Sequence, residues 1–187
     1  MHQKAHEVVN EIFSLFEKYG SQKYGEEVTQ SEHMSQAAIL AQEDGADSEV
    51  ILAAFLHDIG HLSALETEHE RMGELGMVNH EKHGADFLLE RGFSEKVAFL
   101  VEGYVAAKRY LTWKKTDYYT KLSDASKQTL EFQGGPMSDE EGTAFEQHPL
   151  FQTCLDMRKW DDEAKIPGVS LHDVSELKTL MLKHLTS

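Results

Sequence analysis

The residues best suited to chemistry lie in Leu56-His57-Asp58-Ile59-Gly60-His61. An imidazole and a carboxylate stand side by side directly after Val50-Ile51-Leu52-Ala53-Ala54-Phe55-Leu56, an almost wholly apolar run. Burying such groups costs several kcal/mol unless something offsets it. A divalent metal does so, because both groups can ligate it and a carboxylate can bridge two ions. His61, four residues after His57, lies on the same helical face. A lone His-Asp pair is common by chance, but His33, His80 in Asn79-His80-Glu81 and Asp161 in Trp160-Asp161-Asp162 offer ligands from separate segments. Imidazole and carboxylate without thiolate suit iron, manganese, zinc or nickel. Helical bundles build such sites from side chains on facing helices.

Several choices stay open on spacing alone. His83 follows His80 by three residues and is an alternative ligand, and Asp162 could exchange roles with Asp161. Lys108 and Arg109 point about 100° apart on a helix, so only one faces a site there. Lys108 lies four residues after Tyr104 and shares its face. His2, His6, His69, His148, His172 and His184 read as surface or capping residues, and Cys154 as a small buried hydrophobe.

The elements that must position these groups are helical. Val8, Ile12, Leu15, Phe16 and Tyr19 recur at helical spacing, and Gly20 ends that helix. Thr29 with Glu32 is a capping-box pattern for a helix through Ala41. Ser48 is expected to cap the apolar third helix, buried on most sides. Residues 62–78 are polar and predict a loop or short turns. Helix returns at about 79–91, then from the Ser94 cap toward Tyr110, with a short helix near Leu122–Thr129. Ser138 with Glu141 forms a second capping box, Pro149 opens a helix to about Asp162, and Ser170 is expected to cap the last one. No strand-like alternation, repeat or linker interrupts this. The pattern predicts an all-α fold, a helical bundle with the metal site among its central helices, in a single domain spanning 1–187.

The chain has 187 residues, 33 acids against 18 Lys and Arg, and a formal charge of −15. That excess argues against nucleic acid, whose phosphates need clustered cations, and against an anionic membrane surface. A local metal or lysine can still hold a small anion against the global field. One cysteine excludes an intrachain disulfide and a Cys-rich metal site. No run reaches membrane-span length and the N-terminus lacks a signal-peptide pattern, so a cytoplasmic location is expected.

In order, Tyr24-x-x-Glu27, Val28-Thr29-Gln30-Ser31-Glu32-His33, Leu56-His57-Asp58-Ile59-Gly60-His61, Asn79-His80-Glu81, Ala107-Lys108-Arg109-Tyr110-Leu111, Leu122-Ser123-Asp124-Ala125-Ser126, Gln133-Gly134-Gly135-Pro136-Met137 and Arg158-x-Trp160-Asp161-Asp162 resemble the HD-domain metalloprotein superfamily. The resemblance covers most of the chain. Within that superfamily it points to the mixed-valent di-iron oxygenases, in the branch of 2-amino-1-hydroxyethylphosphonate dioxygenases (glycine-forming) and relatives acting on N-methylated analogues. It implies a first iron held by His33, His57, Asp58 and Asp161, and a second, sharing Asp58, bound by His80. His61 is implied beside the substrate phosphonate, Lys108 and Ser126 on its oxygens, and Tyr24 and Glu27 at its amino end, with His61 and Lys108 in the catalytic roles. Dioxygen is the implied co-substrate, an Fe(II)/Fe(III) pair the cofactor and a small phosphonate the partner, cleaved to phosphate and an amino acid such as glycine. In one departure, Tyr104 stands where the family pattern carries a histidine ligand. A phenol binds metal well only as phenolate, and its free pKa is about 10. Two other readings follow from that departure: an HD-type metal-dependent phosphohydrolase, in which a metal-bound water attacks phosphorus, and a phosphonate-binding variant impaired in catalysis.

Overall fold

The computed structural model describes residues 2–66, 71–170 and 174–187. Eleven α-helices run through them in chain order. The first five are α1 (His2–Tyr19), α2 (Gln30–Glu43), α3 (Ser48–Leu56), α4 (Ile59–Ser63) and α5 (His80–Glu90). They are followed by α6 (Glu95–Lys114), α7 (Tyr118–Lys121), α8 (Asp124–Phe132), α9 (Asp139–Glu146), α10 (Phe151–Glu163) and α11 (Ser175–Thr186). Among the described residues the only β-pairing is one isolated bridge, Arg71 to Met77. The architecture is all-α, as the 3.6-residue periodicities require.

Helix starts follow local hydrogen bonding. Thr29 accepts from the Glu32 N–H while the Glu32 carboxylate accepts from the Thr29 N–H, and Ser138 and Glu141 do the same for α9. Ser94 caps α6 and Ser123 caps α8. Helix α3 is capped by Asp47, not Ser48, because the longer carboxylate accepts from both Glu49 N and Val50 N. The last helix begins after Val174 rather than at Ser170; His69 and His172 lie outside the described residues. Residues 62–78 hold more structure than predicted: α4 extends to Ser63, and short 3₁₀ turns cover Ala64–Glu66 and Gly73–Leu75.

Helix α6 is the hub, packed on α3, α5 and α10, while α2 lies against α3 and α10. The core draws Ile12, Met34, Leu52, Leu56, Ile59, Leu88, Leu100, Val101 and Met181 together. Each such side chain contributes about 1.5–3 kcal/mol. Close approaches are made with glycine. A Cβ on Gly60 would lie 1.9 Å from the His80 carbonyl oxygen, so only glycine lets α4 cross α5 so tightly. A Cβ on Gly103 would lie 2.6 Å from Cys154 Sγ, where α6 meets α10.

Candidate metal centre

The His-Asp pair sits at a break in the backbone. Helix α3 ends at Leu56 with His57 as its C-cap, and Asp58, with φ −101° and ψ 10°, starts α4. His57 and His61 therefore do not share one helical face, contrary to the expectation from four-residue spacing. The break turns His57 toward α2 and His61 toward α5.

One group of ligand atoms gathers from α2, α3 and α10. His33 Nδ1 lies 2.8 Å from the Ala164 carbonyl and His57 Nδ1 2.8 Å from that of Ala54. A carbonyl only accepts, so both rings carry their proton on Nδ1 and turn an Nε2 lone pair inward. Those two Nε2 atoms are 3.0 Å apart. Asp161 Oδ1 is 2.9 Å from His33 Nε2 and 3.6 Å from His57 Nε2. Asp58 faces the same point, with Oδ2 3.8 Å from His33 Nε2. Two facing lone pairs backed by two carboxylates repel unless a cation or a proton lies between them, so these residues fit a metal ion. In its absence a proton takes the role. Burial works against charge on His57, but Asp58 and Asp161 outweigh it and raise its pKa to about 9.

A second group shares Asp58. Its Oδ1 accepts from the Tyr104 hydroxyl at 2.6 Å and lies 3.6 Å from His80 Nε2, which is 2.6 Å from the same phenol oxygen. His80 Nδ1 faces the Met77 carbonyl at 3.2 Å, again leaving Nε2 as the inward atom. The phenol has one proton to offer two acceptors, and a cation would relieve that shortage as well. Burial, with Asp58 adding to it, drives the Tyr104 phenol well above its ordinary range, so loss of its proton here requires a cation. His61 stacks on His80 at 3.8 Å and accepts from Met77 N through Nδ1 at 3.0 Å. Asp58, His61 and His80 are near enough together to hold an ion, as are His33, His57 and Asp58.

Both groups lie at the base of a cavity walled by α6, α8, α10 and the loop before α2. Lys108 is buried there, donating to Thr129 Oγ1 at 2.9 Å and toward the Ser126 carbonyl at 3.4 Å. Burial, reinforced by Arg158, lowers its pKa to about 7. Arg109 points away, to Glu141 and the Gly135 carbonyl. Ser126 and Tyr24 line the cavity; the Tyr24 ring lies 4.6 Å from that of His61, and its buried hydroxyl has no hydrogen-bond partner among the described residues. Glu27 does not belong to this wall. It is exposed, and the acid that lines the cavity is Glu26. The irregular turn over residues 24–29 sets which of the two adjacent acids points inward, and no periodicity encodes that.

The open choices between neighbours close. Asp161 faces His33, whereas Asp162 accepts from Tyr118 and Arg158. His83 lines a separate cleft beside Ser63 and Asp86. His148 stacks on Phe99, and His184 accepts from Ser94 N. Sequence inspection noted Arg158 within a motif but gave it no role. It is fully buried and clamps Asp161 Oδ2 at 2.5 Å. Its signal was present: Arg158 precedes Asp161 and Asp162 by three and four residues on one helix, where side chains meet.

The HD domain model matches residues 31–133 of the chain. An uncharacterized protein of Acanthamoeba polyphaga mimivirus is 45% identical over 179 residues, 95% of this chain and 82% of that protein. The hydroxymethylphosphonate dioxygenase of Gimesia maris is 41% identical, covering 92% of this chain and 86% of the relative. The 1-hydroxy-2-(trimethylamino)ethylphosphonate dioxygenase (glycine-betaine-forming) of Leisingera caerulea is 39% identical, covering 84% and 80%.

Proposed function

The chain belongs to the HD-domain family, in company with phosphonate dioxygenases, and on that premise we propose that it is an iron-dependent oxygenase, acting as one cytoplasmic domain, that cleaves the carbon–phosphorus bond of a small 1-hydroxyphosphonate. The products are inorganic phosphate and a carboxylic acid; with the amine-bearing substrate that the sequence resemblance implies, the acid is an amino acid such as glycine. The observation that carries this reading is the sharing of Asp58 between two groups of ligand atoms at the base of a cavity whose wall presents a buried lysine.

His33, His57, Asp58 and Asp161 would hold the first iron, and Asp58, His80 and Tyr104 would hold the second. Bound iron supplies the activation of dioxygen, which no side chain can perform. The chain's own residues do the rest. Lys108, with the Ser126 hydroxyl beside it, receives the phosphonate oxygens as point charge and donor. His61 carries its proton on Nε2, since Nδ1 accepts from Met77 N, and offers that proton to the bound anion. The Tyr24 hydroxyl, unpaired among the described residues, supplies a further polar atom. Burial of the base of the cavity limits water and strengthens every one of these contacts.

The test is iron content per chain, paired with phosphate release from a hydroxyphosphonate in air and under anaerobic conditions. Two irons and dioxygen-dependent release are expected. Release that persists without dioxygen would instead make the protein a phosphohydrolase.

A further inference from the structure

The rim of the cavity carries a charge arrangement that the ligand cage does not need. Glu26 Oε1 accepts from Lys165 Nζ at 2.6 Å and from Ser123 Oγ at 2.6 Å, and Lys165 Nζ lies 3.2 Å from Ser123 Oγ. These three residues come from the loop before α2, the segment after α10 and the N-cap of α8, so their contacts join three separate pieces of wall. Glu26 and Lys165 both line the cavity, with side chains 25% and 21% exposed. Every carboxylate on the described lining is thereby committed: Asp58 and Asp161 within the ligand cage, Glu26 to Lys165. Glu27, which the resemblance assigns to an amine, is exposed outside the wall. Lys108 meanwhile donates to neutral oxygens, so among the described residues the cations of the wall outnumber its available acids.

We propose that this rim selects a 1-hydroxyphosphonate whose far end bears no positive charge, with Lys165 as the specificity-determining residue. The proposal rests on the oxygenase reading above. An ammonium group reaching the rim meets the Lys165 ammonium, and gains Glu26 only by displacing a cation already bound there. Exchanging one ammonium for another on a partly solvated carboxylate is close to neutral, while the displaced Lys165 remains nearby as a like charge. Aromatic faces do not compensate. The described lining offers two phenol rings, Tyr24 against His61 and Tyr104 edge-on to His57, too few to enclose a quaternary ammonium. An uncharged substituent displaces nothing. For the smallest such substrate, hydroxymethylphosphonate, the carbon–phosphorus bond breaks, one atom of dioxygen joins carbon and the other joins phosphorus. The carbon gives up four electrons, dioxygen takes four, and the products are formate, phosphate and a proton.

The experiment compares phosphate release from hydroxymethylphosphonate and from 1-hydroxy-2-(trimethylamino)ethylphosphonate by iron-loaded wild-type, Lys165→Met and Glu26→Gln proteins. Anaerobic binding of the same two compounds provides a second readout. The wild type is expected to favour hydroxymethylphosphonate by about tenfold or more in kcat/KM, and Lys165→Met to reduce that ratio by about tenfold as Glu26 becomes free. Glu26→Gln is expected to leave the ratio as high or higher. A wild-type preference for the trimethylamino compound, or a ratio in folded Lys165→Met equal to that of the wild type, overturns the proposal. Phosphate from neither compound overturns the oxygenase reading itself.

Discussion

The two halves of the candidate metal centre are supported differently. Around His33, His57 and Asp161 each ligand is held from behind, by the carbonyls of Ala164 and Ala54 at 2.8 Å and by the Arg158 guanidinium. Around His80 and Tyr104 the support is looser. His80 reaches its carbonyl at 3.2 Å, and the Tyr104 hydroxyl bonds only to other ligand atoms. The first half has its tautomers fixed by backbone before any ion arrives. The second leaves the placing of one phenolic proton to whatever binds. Preorganisation is thus concentrated where α2, α3 and α10 meet, and adaptability where α5 meets α6.

That contrast can be broken most severely at the residue both halves share. Asp58→Ala is expected to strip iron from both positions and to lower oxygen-dependent phosphate release by well over ~100-fold, beyond the loss typical of residues one layer out. One tightly retained iron would mean that Asp58 does not bridge. Arg158→Met attacks the first half alone. Iron affinity there should fall by about 10–100-fold, and the metal-free protein should lose about 3–5 kcal/mol in denaturant unfolding, because the buried Asp161 carboxylate loses its guanidinium counter-charge. Unchanged stability would show that the clamp is dispensable.

Tyr104 sharpens the second half. Tyr104→Phe should leave the first iron bound, release the second and abolish any visible phenolate-to-iron absorption. Tyr104→His should raise retention of the second iron by about tenfold or more, since a neutral imidazole sheds no proton on binding. Equal iron content in all three proteins would remove the tyrosine from the ligand set. The smallest effect concerns pH and touches neither half. Lys108 is charged only below about pH 7, because burial holds its ammonium down. Phosphonate affinity should therefore fall as pH rises through 7, by up to about tenfold per unit, and lose this dependence in Lys108→Met. The same displacement fixes the sign for stability. With the folded value below the ordinary 10.5, the charged lysine costs the fold most below pH 7, and the cost fades as pH climbs toward 10.5.

Helix caps and ligand candidates were legible where the signal is local. Thr29 with Glu32, Ser138 with Glu141 and the apolar run ahead of His57 announce themselves in a few residues, and Asp161, His80 and Lys108 face the cavity as their surroundings suggest. What could not be extracted depends on backbone that periodicity does not describe. The turn at Asp58 ends one helix and begins another, so four-residue spacing misled for His61. The irregular stretch of residues 24–29 exchanges Glu27 for Glu26. Lys165 reaches the rim from a segment with no regular structure, across 139 residues from its partner. Asp47 displaced Ser48 as a cap because two plausible caps stood side by side, and reach decided between them.

The tight seam where Gly103 admits Cys154 has a bearing on durability. This is the chain's one cysteine, fully buried, with its thiol pushed by burial up to about 12. At pH 7 the thiolate that oxidants attack is therefore scarce. On the oxygenase reading proposed above, the fold would thus keep its one thiol chemically silent beside the oxidising site. The protein needs no thiol reductant in the buffer, so a metal loaded into it could be poised in a chosen oxidation state without one.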